Sequence, residues 1–275
     1  MNGLIRIPLN AITALTSEPA VKLMRDVLRT ECRYGRLSPS ALTISSRITI
    51  ADGGIDAEVN TSAHGVPPDC IFQAGLTGFQ IKSGTSFKPW TGSSIKAELL
   101  DSKGRLFSEV ENLAVRRGRY SLICTGHDLT PEQRNDSKAL IAGVLADRGY
   151  ANYAALIDVI GASQLADFIE RYPSLAATLT LDPIQEAWVL SEWQRDAHMS
   201  NPFTASDEQT KLIKYIRTEL LGNKKHIRIL GEPGLGKTRI VLEAVRDSSL
   251  APCVLYSSIN ALPPSKFLTM SVSEM

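Results

Sequence analysis

Hydrophobic positions recur along this chain with two periods, and each change of period marks an element. Val21, Met24, Val27 and Leu28 return at helical spacing behind Ser17-Glu18-Pro19, which predicts a helix over 17–33. Residues 1–16 read as an irregular arm. Residues 41–50, rich in Thr and Ile, predict a strand; Gly53-Gly54 predicts a tight turn or bulge, and the strand resumes over 55–59. Residues 60–76 read as a long loop with Gly65, Pro67, Pro68 and a solvated His64. A strand follows over 78–82 and stops at Ser83-Gly84. A helix spans 94–117 with a break near Gly104, and Tyr120 to Cys124 reads as a buried strand. Thr130-Pro131-Glu132 opens a helix that runs to 148. A short strand over 155–160 and a short helix over 163–171 complete the series. Strands alternating with helices predict an α/β domain over residues 1–172.

Residues 173–200 read as a helical linker, helical over 183–194, with Trp188 and Trp193 as packing anchors. Asn201-Pro202-Phe203 marks a boundary. Ser206-Asp207-Glu208 opens a helix to 221, because a hydroxyl and two acids suit the free N–H groups of a first turn. Residues 226–230 predict a strand, 238–246 a helix and 252–257 a second strand. The tail after Pro264 has no pattern and reads as frayed. Residues 201–275 are thus expected to be the first part of a second α/β domain.

Composition narrows the class. The chain has 275 residues, 43% hydrophobic and 21% charged, which suits a globular protein with material for two cores. Lys plus Arg number 30 against 29 acids, so any nucleic-acid surface must be local. Arg116-Arg117-Gly118-Arg119 and Lys224-Lys225-His226 are the candidates, each also readable as a solvated face. Cys32, Cys70, Cys124 and Cys253 stand far apart without metal-ligand spacing, which fits a reducing, cytoplasmic setting. Cys124 and Cys253 lie in apolar runs and read as buried thiols. The start lacks a signal peptide's apolar core, and no apolar run is long enough to span a membrane.

Two stretches carry chemistry. The first is Asp52-Gly53-Gly54-Ile55-Asp56 with Phe79-Gln80-Ile81-Lys82. Alternation on a strand points Gln80 and Lys82 one way and Phe79 and Ile81 the other, into a core. A carboxylate, a second oxygen donor and a lysine on one spot suit a Mg²⁺ site for phosphodiester hydrolysis. Asp56 is a hard anionic ligand, and Gln80 offers a neutral and weaker amide oxygen. Lys82 can orient or help deprotonate the attacking water and offset charge on phosphorus. Glu31, near the end of the first helix, is either an exposed charge or a carboxylate reaching toward the metal. Asp56 also admits a plain reading as a turn acid, and Lys82 as an edge-strand charge.

These residues and the element order resemble the PD-(D/E)xK nucleases, and in particular the Mrr-like restriction endonucleases, over residues 17–170. In that branch a Gly-Gly-x-Asp turn precedes a strand carrying Gln-x-Lys. Ile55 stands where the superfamily's name has Pro, and the segment from Asp56 to Gln80 is longer than usual, as an insertion would make it. The resemblance implies a restriction-endonuclease-like mixed sheet flanked by helices and a Mg²⁺ site of Asp56, Gln80 and Glu31, completed by the DNA phosphate. It further implies catalytic roles for Asp56, Gln80, Lys82 and Glu31, and cleavage of double-stranded DNA to 5′-phosphate and 3′-hydroxyl ends.

The second stretch, Gly231-Glu232-Pro233-Gly234-Leu235-Gly236-Lys237-Thr238, has the G-x-x-x-x-G-K-[ST] spacing between an apolar strand and a helix. Gly231, Gly234 and Gly236 let backbone N–H groups wrap the phosphates of ATP. Lys237 would neutralise the β and γ phosphates and Thr238 would hold Mg²⁺. Cys253 to Tyr256 is followed by Ser257-Ser258 rather than by acids, and few residues remain, so this NTPase module is expected to be incomplete here. Residues 231–239 resemble the P-loop of STAND-class ATPases and their AAA+ relatives.

Together the two resemblances imply a Mg²⁺-dependent DNA endonuclease effector under an NTPase sensor, as in bacterial antiviral STAND proteins, acting as a homo-oligomer. Two other readings stay open. One is a restriction enzyme with a DNA-translocating motor. The other is an inactive nuclease fold used for DNA binding or oligomerisation.

Overall fold

The computed structural model describes residues 6–35, 37–44, 53–61, 66–179, 187–195, 199, 201–221, 227–246, 250 and 253–257. The readings made of residues 45–50, Asp52, His64, Gly65, 183–186, Lys224-Lys225-His226 and the tail after Pro264 lie outside these residues. The chain forms two compact units, one of residues 8–168 and one of residues 1–7 with 169–275.

The unit of residues 8–168 is mixed α/β. It opens with α1 (Leu9–Thr13) and α2 (Ser17–Tyr34), followed by β1 (Leu42–Ile44), β2 (Ala57–Thr61) and β3 (Gly75–Lys82). Next come α3 (Gly92–Leu99), α4 (Ser108–Val115), β4 (Arg119–Cys124), α5 (Pro131–Ala146), β5 (Ile157–Ile160) and α6 (Ala162–Glu170). The five strands pair in the order β1-β2-β3-β4-β5. β1, β2 and β3 run antiparallel, whereas β3, β4 and β5 run parallel. The arm before residue 17 is more ordered than its sequence suggests: α1 buries Ile12 completely.

Both faces of the sheet are covered. Tyr120, Leu122, Cys124, Ile157 and Val159 pack on one face with Ile95 and Leu99 of α3, Val110 of α4 and Ile141 of α5. Phe79 and Ile81 face the other way, and α2 lies against β3 with Met24, Val27 and Leu28 buried. Burying a side chain such as Phe79 or Leu122 contributes about 2–3 kcal/mol. The helix expected over 94–117 is two helices. Its break at Gly104 has φ +73°, and Leu100 bridges Leu106 across the turn. Asp101 closes that turn by accepting from the amides of Lys103 and Arg105 and from the Arg105 guanidinium. α5 begins with a capping box between Thr130 and Gln133.

The Gly-Gly turn has a steric cause. Gly53 and Gly54 take φ +67° and +87°, where a side chain is strained. The turn is pressed against the start of α4, whose Glu109 amide donates to the Gly53 carbonyl at 3.3 Å. A Cβ on Gly53 would lie 2.8 Å from Glu109 and Ser108, and one on Gly54 would lie 2.9 Å from Val110.

The second unit contains α7 (Pro173–Leu179), β6 (Ala187–Val189), α8 (Leu190–Trp193), α9 (Asp207–Leu221), α10 (Lys237–Val245) and β7 (Leu255–Ser257). The linker is helical in α7 and α8, but residues 187–189, expected to be helical, form a strand: β6 pairs antiparallel with β7, setting Trp188 opposite Tyr256. Trp193 stacks on Tyr256 at 4.2 Å and Trp188 at 5.5 Å between ring centroids. Aromatic cross-strand pairing outweighs the helical pattern there. Residues 227–230, expected to be a strand, form no ladder among the described residues. Their alternation survives, with Ile227 and Ile229 packed on α9 and α10 residues. At the start of α9 the Ser206 amide donates to the Gln209 side-chain oxygen and the Gln209 amide to the Ser206 hydroxyl. Arg217 donates to the Glu243 and Ala244 carbonyls in the last turn of α10, where carbonyls lack helical partners. Cys253, expected to be buried, is exposed, whereas Cys32, Cys70 and Cys124 are buried. No described helix is long and apolar enough to cross a membrane.

Two outcomes follow from these contacts. Gly54→Ala should destabilise the protein by about 1–3 kcal/mol, from strain at positive φ and the clash with Val110. Urea unfolding of variant and parent measures this, and an unchanged midpoint would contradict the seating of the turn. The second concerns Tyr153, whose buried hydroxyl donates to the Gly118 carbonyl and whose pKa burial pushes up to about 12. The unfolded chain releases this proton near pH 10, before the native state does, so the contribution is complete below pH 10. It is lost as pH rises toward 12, at about 1.4 kcal/mol per pH unit. The fall in urea midpoint between pH 9.5 and 11 should be smaller in Tyr153→Phe.

Candidate functional site

The central strand β3 carries the first site. β2 pairs with β3 only as far as Ala57 opposite Phe79, which leaves the Ile81 amide beyond the end of that ladder. Asp56 takes over there. Its amide donates to the Phe79 carbonyl at 2.8 Å, and its carboxylate accepts the Ile81 N–H at 2.6 Å. Asp56 is therefore held against the backbone between Gln80 and Lys82.

Gln80 and Lys82 share the sheet face that α3 covers, as alternation requires. Gln80 is only 3% exposed. Its amide nitrogen donates to the Glu98 carboxylate at 2.8 Å and reaches the Glu98 carbonyl at 3.5 Å. Its amide oxygen accepts from the Tyr120 hydroxyl, and Lys82 forms an ion pair with the same Glu98 carboxylate. The side chains of Lys82 and Glu98 are 28% and 22% exposed, so this pair opens to solvent while Gln80 and Tyr120 do not. Burial pushes the Tyr120 phenol pKa well above its ordinary value; the Glu98 carboxylate, Cys124 and the Asp56 carboxylate raise it further. Burial likewise pushes the Cys124 thiol to about 12, with Lys82 opposing and Glu98 assisting. Both stay protonated at neutral pH.

Glu98 is the residue that sequence reasoning missed. It lies in the last turn of an amphipathic helix, where an acid has no local signal, and only helix docking brings it to β3. Glu31 is placed differently from the expectation. It is 0% exposed, and its carboxylate accepts the Ile71 amide at 3.2 Å in the segment leading to β3. This bond belongs to the packing of α2 rather than to a solvent-facing acid. Arg116 pairs with Glu58 at 3.7 Å, and Arg119 is taken up by Asp158 and Gln73. Arg117 is exposed.

The donors fit Mg²⁺ in one respect. No three His, Cys, Asp or Glu side chains among the described residues converge as a metal-holding group. Mg²⁺ commonly uses one or two carboxylates together with waters and substrate phosphates rather than an all-protein cage. Asp56 supplies a carboxylate on the Ile81 amide, and Glu98 supplies one on the Gln80 and Lys82 side chains. The Gln80 oxygen is committed to Tyr120.

The second site lies at the start of α10. Gly234 and Gly236 take φ +84° and +74°, and Gly236 is the residue before the helix. Only glycine adopts such a sequence of angles without strain. The loop is exposed, and the Lys237 ammonium lies across it, donating to the Gly231 and Glu232 carbonyls at 3.0 and 2.9 Å. Thr238 occupies the first turn, half-buried. Arg239, next in the chain, donates to the Met199 and Asn201 carbonyls at 2.8 Å each and lies over the Phe203 ring. Glu243 holds its other side at 2.8 Å. Asn201-Pro202-Phe203, read as a boundary, is thus tied to the helix that follows the loop.

No family model, curated protein or solved structure matches this chain.

Proposed function

We propose that the chain is a Mg²⁺-dependent DNA endonuclease effector governed by an attached P-loop NTPase sensor, of the kind used in bacterial antiphage defence. The observation that carries this reading is the assembly on β3: Asp56 on the Ile81 amide, with Gln80, Lys82 and Glu98 joined above it. Three further features support it. The sheet is mixed, with β2 and β3 antiparallel and β3 to β5 parallel, as a restriction-endonuclease-like fold requires. The Gly-Gly-x-Asp turn has a packing role that delivers Asp56 to β3. Lys82 sits at the carboxyl end of a parallel strand, where open α/β sheets receive ligands.

Bound Mg²⁺ would supply Lewis acidity and a more acidic water. The protein's own groups would do the rest. Asp56 would offer a carboxylate oxygen to the metal while its other oxygen stays on the Ile81 amide. Lys82 would hold the attacking water and balance charge that builds on the phosphoryl oxygens. Double-stranded DNA is the proposed substrate, and exposed Arg117 is a candidate for backbone contact. At the second site, backbone amides of the 231–238 loop, Lys237 and Thr238 would bind ATP with Mg²⁺. Nucleotide state would then bias how copies of the nuclease unit are presented to one another in a homo-oligomer.

One observation favours a second reading, an inactive nuclease fold used for binding. The Gln80 oxygen is buried on Tyr120, so β3 itself offers no anionic ligand. Cleavage distinguishes the two. Plasmid DNA should be cut only with Mg²⁺ or Mn²⁺, and Asp56→Ala or Lys82→Ala should each lower the rate by about 10²-fold or more. Unchanged cleavage by folded Asp56→Ala protein would remove this site from consideration.

For the nucleotide site, calorimetry should detect ATP–Mg²⁺ binding that Lys237→Ala weakens at least about tenfold, in line with loss of a charge-assisted phosphate contact. Phosphate release should stay at background, because Ser257 and Ser258, not acids, come directly after Tyr256, where the acid of the metal shell would be expected. Steady turnover abolished by Lys237→Ala would show instead that the site is complete in this chain.

A further inference from the structure

We propose that Gln80 is a positioning residue, fixed by the buried Tyr120 hydroxyl, and that Glu98 is the carboxylate it sets beside Lys82 and Asp56. The inference rests on the metal-dependent nuclease reading of the same site. It changes the division of labour within it.

The orientation of the amide decides the matter. An ionised carboxylate only accepts hydrogen bonds, so the Gln80 nitrogen must face Glu98 and its oxygen must face Tyr120. The reverse orientation would put the amide oxygen against the Glu98 carboxylate, two acceptors facing each other. A buried amide with both ends satisfied has little reason to turn. The oxygen that would bind a metal as a ligand is therefore the one held by Tyr120. Gln80 also reaches the backbone carbonyl of Glu98, so it grips the residue at two points in the last turn of α3.

Glu98 supplies what β3 lacks. It is anionic, it opens to solvent, and it already bears the Lys82 ammonium. Asp56 and Glu98 would hold the cation, and Lys82, released from the Glu98 carboxylate, would serve the scissile phosphate. The order of the chain of contacts is then Tyr120, Gln80, Glu98, Lys82. Its first two members are buried and fixed, and its last two are free to respond to substrate.

The test uses the full chain in two arms. The first is calorimetric titration with Mn²⁺ of the parent, Glu98→Gln, Tyr120→Phe and Gln80→Glu, with thermal unfolding to confirm folding. Glu98→Gln should lose at least about tenfold in Mn²⁺ affinity, and Tyr120→Phe about 10–100-fold, as partners of ligands usually do. Gln80→Glu should gain nothing, because a second carboxylate would face Glu98. Tighter binding by Gln80→Glu with Glu98→Gln unchanged would make Gln80 the ligand and overturn the proposal. The second arm needs no metal. The Gln80 side-chain amide signals in NMR spectra of ¹⁵N-labelled protein should move in both Glu98→Gln and Tyr120→Phe. If Tyr120→Phe fails to fold, Glu98→Gln decides both arms. Unmoved signals would overturn the arrangement. A parent protein that fails to bind Mn²⁺ at millimolar concentration would sink the nuclease reading, while the NMR arm would still decide whether Tyr120 and Gln80 hold Glu98.

Discussion

β3 is paired on both edges and covered on both faces, so any polar group it carries toward α3 has to be satisfied by the protein. Gln80 is that group. An unmet buried donor or acceptor costs about 1–3 kcal/mol, and a glutamine amide presents both kinds. The requirement is met from two directions, by the Tyr120 hydroxyl of the parallel neighbour β4 and by the Glu98 carboxylate of α3. Lys82 then neutralises the acid at the edge of the cluster. The docking of α3 on the sheet, the register of β4 beside β3 and the placement of charge near the carboxyl end of β3 depend together on this one demand.

The Asp56 side of the site answers a related demand of the backbone. Where β2 stops pairing, the Ile81 N–H is left without a ladder partner, and the Asp56 carboxylate takes it. The chain arrives there through a turn that only glycines permit, wedged on the first residues of α4. Apolar packing of α4 against the sheet thus fixes where Asp56 enters. The hydrogen bond it makes is at once structural and compatible with a ligand's role. A carboxylate on a rigid strand boundary is better positioned for chemistry than one on a free loop.

In the second unit, local geometry and aromatic packing share the work. Positive φ at Gly234 and Gly236 opens α10 behind an exposed loop, and Arg239 ties the residues before α9 to that same helix. Tyr256 is stacked by Trp193 and Trp188, so the segment after α7 is a partner strand of β7 rather than a spacer. Arg217 closes the last turn of α10 from α9. These long-range polar links and ring contacts hold together a unit whose described strands are short.

The sequence by itself determined what depends on neighbours a few residues away. The periodicity of Val21, Met24, Val27 and Leu28 produced α2, alternation produced β3 and β4, and Thr130-Pro131 and Ser206 started helices through their own side chains. The glycines of both turns were legible because positive φ is a property of single residues. Tertiary structure decided what depends on contacts across 18 to 40 residues of sequence. It buried Gln80 by covering a face that alternation alone could not distinguish from solvent. It aimed Glu98 at Lys82 by docking α3, and it buried Glu31 with its carboxylate on the Ile71 amide. Trp188 became part of a strand because Tyr256 lay opposite, while residues 227–230 kept the strand pattern without a pairing neighbour among the described residues. Helical and extended periods are written locally, but hydrogen-bond partners and the side of a buried amide are chosen only when the elements pack.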